Sequence, residues 1–171
     1  SHLHLVRGRR VGLITNPTGV DRALRSSIER FRAYPEVKLV ALYGPEHGVR
    51  GNAQAGEYVP FYLDEQYGLP VFSLYGQSHQ PPADMLTNID AYMRSFDTQP
   101  AGKTVERGMI DAIDVMVFDL QDVGTRVYTY VATMAYAMQA AAESGIPFVV
   151  LDRPNPINGV AMEGPILEYP R

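Results

Sequence analysis

The chain has 171 residues, 46% of them hydrophobic and 20% charged, which fits one globular domain with a sizeable core. Its 15 Lys and Arg against 19 Asp and Glu give a formal charge of −4, without the basic excess of a nucleic-acid binder. The absence of Cys excludes disulfides, thiolate metal sites and a cysteine nucleophile. No run reaches the ~18 consecutive apolar residues of a spanning helix, and the start lacks the order of a retained signal peptide. A signal removed from a precursor, and either redox compartment, stay open.

The first apolar run, Arg10–Thr15 (RVGLIT), reads as a strand buried on both faces. Residues 21–34 predict a helix with Leu24, Ile28 and Phe31 on one face, Asp21 as N-cap and Pro35 as its stop. Residues 37–43 (VKLVALY) and 70–75 (PVFSLY) are the next strands. Two weaker helices follow at 85–93 and 105–113, separated by a polar loop at 95–103. A fourth strand lies at 114–119 (DVMVFD). A long helix at 125–144 then carries a stripe of Val127, Val131, Met134, Ala135, Met138 and Ala142, with Gly145 at its C-terminal cap. The fifth strand is 146–151 (IPFVVL).

Strands alternating with helices predict an α/β fold: a three-layer Rossmann-like domain with a mostly parallel sheet of about five strands and right-handed crossovers. The 15 Gly and 13 Pro, about 16% of the chain against a usual ~12%, cluster between the apolar runs as loops. The turn after the first strand is Asn16-Pro17-Thr18-Gly19, with no GxGxxG and no phosphate-binding P-loop, which argues against a dinucleotide cofactor.

Ligands of open parallel sheets bind at the carboxyl ends of the strands, and the polar loops fall there. After the second strand comes Gly44-Pro45-Glu46-His47-Gly48-Val49-Arg50-Gly51, and after the third Gly76-Gln77-Ser78-His79. Asp119 to Arg126 follow the fourth, and Asp152-Arg153-Pro154-Asn155-Pro156 the fifth. Glu46 sits beside His47 on a turn stiffened by Pro and bracketed by Gly, which suits an aimed carboxyl for acid/base work; a cap or a pair with Arg50 fits equally, and His47 fits a structural hydrogen bond. Asp122 could cap the long helix, hold Arg126 or contact a ligand. Arg50, Arg126 and Arg153 at three strand ends suit the grip of a carboxylate or phosphate. Tyr43, Tyr75, Tyr128 and Tyr130 lie close to these loops, where rings could stack on a sugar. No GxSxG elbow or HExxH pattern occurs, while a magnesium site of Glu46, Asp119 and Asp122 is conceivable from oxygen ligands alone.

The ordered series Leu13 to Val20 (LITNPTGV), Gly44 to Gly51 (GPEHGVRG) with Ala55-Gly56-Glu57, Ser73-Leu74-Tyr75-Gly76, Val117 to Arg126 (VFDLQDVGTR) with Tyr128-Thr129-Tyr130, Leu151 to Pro156 (LDRPNP) and Glu163-Gly164-Pro165 resembles the exo-β-N-acetylmuramidase family, glycoside hydrolase family 171. The resemblance implies a hydrolase that removes non-reducing-end N-acetylmuramic acid from peptidoglycan fragments in cell-wall turnover, outside the cytoplasm and with no cofactor. It implies Glu46 as a catalytic carboxyl, with Glu163 and Glu57 as candidate partners. It also implies substrate binding by Asn16, His47, Arg50, Gln121, Asp122, Arg126, Tyr128, Arg153 and Asn155. A retaining, inverting or substrate-assisted course is open. Family members carry a further C-terminal domain that would face this one across the site, and residues 91–113 stand as an insertion relative to the family pattern. A non-catalytic muropeptide-binding domain and a metal-dependent hydrolase are the rival readings.

Overall fold

The computed structural model describes residues 2–57, 59–75, 80–94 and 112–166. The loop at 76–79, the loop at 95–103 and most of the 105–113 helix and the 91–113 insertion lie outside them.

The strands are β1 (Arg10–Thr15), β2 (Lys38–Gly44), β3 (Tyr62–Asp64), β4 (Leu69–Ser73), β5 (Val115–Asp119) and β6 (Phe148–Val150). They form one sheet in the order β3-β4-β2-β1-β5-β6. All neighbours are parallel except β3, which pairs antiparallel with β4 at the edge. The sheet therefore has six strands where the sequence predicts about five. β3 escapes because its three residues are too few to show a period, and it returns to β4 through a tight turn closed by Gly68 N–H to the Asp64 carbonyl at 2.7 Å.

Alternation along the central strands explains their unbroken apolar runs. Val11, Leu13, Leu42, Val71, Val115 and Val117 face one core, under helix α1 (Ser27–Arg32) and an N-terminal turn at Leu3–Leu5. Ile14, Tyr43, Phe72, Met116 and Phe118 face the other, under α2 (Asp84–Thr87), α3 (Ile89–Arg94) and α4 (Tyr130–Glu143). Helices on both faces make this the Rossmann-like three-layer arrangement. No helix among the described residues is long and apolar enough to cross a membrane.

Three helices differ from expectation. α1 starts at Ser27, not Asp21, because the Asp21 carboxylate closes a turn of its own: Oδ1 accepts from the backbone of Ala23 (2.8 Å) and Arg25 (3.0 Å). The cap is Ser26, in a capping box with Glu29, and Leu24 is left 81% exposed. α4 starts at Tyr130 rather than 125, and it buries Tyr130, Thr133, Ala137, Ala140 and Ala141. The expected stripe is rotated by about one residue, roughly 100°, and Val127, Val131 and Met138 lie exposed. The helix is apolar on both flanks, and only the small side chains let its backbone approach the sheet. Its end is as expected: Gly145 at φ 68°, with Ile146 N–H reaching the Ala141 carbonyl and Gly145 N–H that of Ala142, is a Schellman cap. The weaker 85–93 helix is divided at Asn88 into α2 and α3.

Candidate functional site

Strand order reverses between β1 and β5, the switch point where parallel sheets open a crevice. The loop after β1 enters it. Asn16, 8% exposed, accepts at Oδ1 from the Thr18 amide (2.9 Å) and hydroxyl (2.6 Å), and its Nδ2 donates to the Tyr130 hydroxyl at 2.7 Å. Thr18 Oγ1 in turn accepts from the Gln121 amide at 3.0 Å. Asn16 thus clamps the β1 loop to the β5 loop and the start of α4.

The turn after β2 presents Glu46. It is rigid for identifiable reasons: a Cβ on Gly44 would stand 2.9 Å from the Val49 nitrogen, and Gly48 lies at φ 73°. His47 also holds a left-handed φ of 70°, a conformation costing roughly 1–2 kcal/mol for a residue with a Cβ. Its Nδ1 lies 2.9 Å from the Ala53 carbonyl. A carbonyl only accepts, so Nδ1 carries a proton in this contact. Half-buried Glu46 is held from two sides. The Thr129 hydroxyl donates to Oε2 at 2.8 Å and the Gly56 amide to Oε1 at 3.3 Å.

Tyr130, beside Thr129, is 5% exposed. Burial, then its hydrogen bond to Tyr128, push its phenol up to about 12, and the two rings meet edge to face with centroids 4.5 Å apart. Tyr43, by contrast, is wholly buried, donates to the Met85 carbonyl at 2.8 Å and is core.

The three arginines part company. Arg50 donates to Asp64 Oδ2 through Nε (3.1 Å) and Nη2 (2.5 Å) and lies over the Tyr67 ring, tying the β2 turn to β3. Arg153 grips the buried Asp119 and also reaches the Val20 carbonyl at 3.0 Å. Arg126 is exposed and makes one described hydrogen bond, from Nη2 to the Pro165 carbonyl at 3.1 Å.

The remaining candidates lie around this centre. Gln121 donates through Nε2 to the carbonyls of Asp122 (2.8 Å) and Pro154 (3.0 Å), drawing the β5 and β6 loops together. Asp122 accepts from Gly124 N–H at 2.7 Å, while its Oδ2 is buried without a partner among the described residues. Asn155 closes its own turn to Ile157 N–H at 3.0 Å. Asp122, Tyr130, Leu151 and Arg153 line a cavity of about 180 Å³ between α4 and these loops.

Glu57 accepts from Gln54 N–H at 2.9 Å on an exposed turn, and Glu163 lies on the exposed stretch after β6. No described hydrogen bond joins either to Glu46. Among the described residues, no three His, Asp or Glu side chains gather as a cation site, since Asp119 is committed to Arg153 and to the Ser27 hydroxyl. Thr129 is the residue that reading the sequence misses; a helix expected from 125 places it inside the helix, where nothing marks a contact with Glu46.

Comparisons with known proteins place the chain in one family. The family model for the N-terminal part of the exo-β-N-acetylmuramidase NamZ matches residues 11–105 and 100–170. The peptidoglycan β-N-acetylmuramidase NamZ of Bacillus subtilis (strain 168) is 52% identical over 163 residues, 95% of this chain and 34% of the relative. A crystal structure of a DUF1343 family protein from Bacteroides fragilis NCTC 9343 is similar with a TM-score of 0.72 at 46% identity, covering 97% of this chain and 35% of that one. A second protein of that family from the same organism gives 0.60 at 27% identity, covering 91% and 33%. The chain spans about a third of the length of these relatives. With sequence and fold matched along nearly all of it, the chain belongs to the NamZ N-terminal domain family.

Proposed function

We propose that this chain supplies the Glu46-bearing wall of a glycosidase that releases non-reducing-end N-acetylmuramic acid from peptidoglycan fragments. The observation that carries the reading is Glu46 itself, a half-buried carboxylate fixed by Thr129 and Gly56 on a rigid turn at the strand ends. The B. subtilis relative bears the name of that activity.

Glycoside hydrolysis passes through an oxocarbenium-like transition state flanked by two carboxyl groups, or by one carboxyl and the substrate's own acetamido group. Glu46 is one carboxyl. The partner is Glu163 or Glu57 brought up by rearrangement, a residue from a further C-terminal domain, or the acetamido oxygen. N-acetylmuramic acid also carries a lactyl carboxylate. Arg126 fits that group best, because Arg50 and Arg153 have their donors on Asp64 and Asp119. Gln121, Asp122, Tyr128, His47, Asn16 and Asn155 complete the polar rim. Such a substrate favours a place outside the cytoplasm.

The rival is a muropeptide-binding domain without turnover, in which the exposed Arg126 and the polar loops at the strand ends would hold the sugar. Release of the aglycone from a chromogenic β-muramide separates the two. The test is run on this chain and on a polypeptide of the relatives' full length that contains it. Turnover abolished by Glu46→Gln supports the glycosidase. Sugar binding with no turnover in either polypeptide supports the rival, and full activity of Glu46→Gln removes Glu46 from the chemistry.

A further inference from the structure

The residue preceding α4 occupies the N-cap position, where a Thr side chain normally accepts from a backbone N–H of the first turn. Thr129 makes no such bond, and its backbone is helical (φ −81°, ψ −12°). That hydroxyl meets Glu46 Oε2 at 2.8 Å, across 83 residues of sequence. The other contact to Glu46, from Gly56 N–H, is longer at 3.3 Å.

We infer that Thr129 is the positioning residue of Glu46, its hydroxyl taken from helix capping to fix the carboxyl's orientation. The inference rests on the reading of Glu46 as a catalytic group.

The chemistry of the contact suits that task. A hydroxyl donates to a carboxylate and accepts from a carboxylic acid, so the contact survives whichever protonation state Glu46 takes in a cycle. A backbone N–H such as that of Gly56 can only donate. Thr129 is itself held on the far side. Its carbonyl accepts from Thr133 N–H at 3.0 Å as the first bond of α4, and the next residue, Tyr130, is pinned by Asn16. The carboxyl is therefore referenced to a 14-residue helix and to β1, and not only to its own turn. A Glu side chain without that contact regains rotamer freedom, and a displacement of about 1 Å in a reacting group costs about a hundredfold in rate.

The test is Thr129→Val, which keeps the β-branched shape and removes the hydroxyl, beside Thr129→Ser, which restores it. In the polypeptide that turns over the chromogenic muramide, Thr129→Val lowers kcat by about tenfold or more. KM and the melting temperature stay at their parental values, and Thr129→Ser recovers most of the rate. In this chain alone, carbon NMR of the Glu46 carboxyl shows a displaced resonance in Thr129→Val and a near-parental one in Thr129→Ser. Parental kcat and an unmoved Glu46 resonance in Thr129→Val overturn the inference, as does a loss of activity that only tracks a lowered melting temperature. Full activity of Glu46→Gln instead overturns the glycosidase role of Glu46 on which it rests, so the two failures are told apart.

Discussion

Arg153 holds Asp119 through both carboxylate oxygens, Nε to Oδ1 at 2.7 Å and Nη2 to Oδ2 at 3.0 Å. Asp119 ends β5 and is 1% exposed, while Arg153 lies in the loop after β6. The pair fixes the two loops that carry Gln121, Asp122 and Asn155, and Ser27 donates to Asp119 from α1.

Asp119→Asn leaves the half-buried Arg153 guanidinium opposite a neutral, buried amide. Removing one partner of a buried pair costs about 3–5 kcal/mol, and urea unfolding should show a loss of that size. A loss below about 1 kcal/mol would show that the loops are held without the pair.

Arg126 and Arg50 should behave differently although both are rim arginines. With its side chain exposed at the site, Arg126→Ala is expected to raise KM for a muramide by about tenfold, the worth of a charged hydrogen bond of roughly 1.5 kcal/mol. A glucosaminide lacking the lactyl carboxylate should bind equally to both forms. Arg50→Ala should lower stability instead, since Asp64, 3% exposed, loses its cation. Equal KM effects on both sugars would remove Arg126 from carboxylate recognition.

Alkaline pH should unfold the protein in a defined window. The Tyr130 phenol rises from its usual 10 to about 12 on folding, and burial raises Tyr43 as well. The folded state therefore keeps protons that the unfolded chain releases. Stability is full below pH about 10 and falls as pH climbs toward about 12. Denaturant midpoints measured across that range check this. Tyr130→Phe should flatten the fall, while costing about 1–3 kcal/mol at neutral pH because Asn16 Nδ2 loses its acceptor.

The cap of α1 gives a further check. Ser26→Ala should cost about 1 kcal/mol by thermal unfolding, because the Glu29 amide loses the Ser26 oxygen at 3.1 Å. A helix starting at Asp21 would be indifferent to that change.

The rotation of α4 is testable too. Met138→Ser, on the exposed flank, should change stability by no more than about 0.5 kcal/mol. Ala137→Leu, against the sheet, should cost about 1–3 kcal/mol through overpacking. The reverse order would restore the stripe read from the sequence.

How far the sequence reaches is shown by particular residues. β1 is legible to the residue, because a strand buried on both faces must be apolar throughout, and Val11, Leu13 and Ile14 are all fully buried. The Gly-Pro-Glu-His-Gly turn marks Glu46 through local stiffness alone. At α1 the sequence pointed to Asp21 as the cap, and only the turn that Asp21 closes with Arg25 leaves that role to Ser26.

The sequence by itself therefore determined the α/β class, the central strands, the family and the segments that meet at one rim, since these follow from local periodicity and contiguous motifs. The tertiary structure decided which side chains are taken there. Arg50 and Arg153 became ties and Asn16 a clamp, α4 turned its small residues to the sheet, and Thr129 left its helix for Glu46. Each of these depends on a partner far away in the chain, from 14 residues for Arg50 with Asp64 to 114 for Asn16 with Tyr130. Spacing along a sequence carries no information about a contact that only the order of strands in the sheet creates.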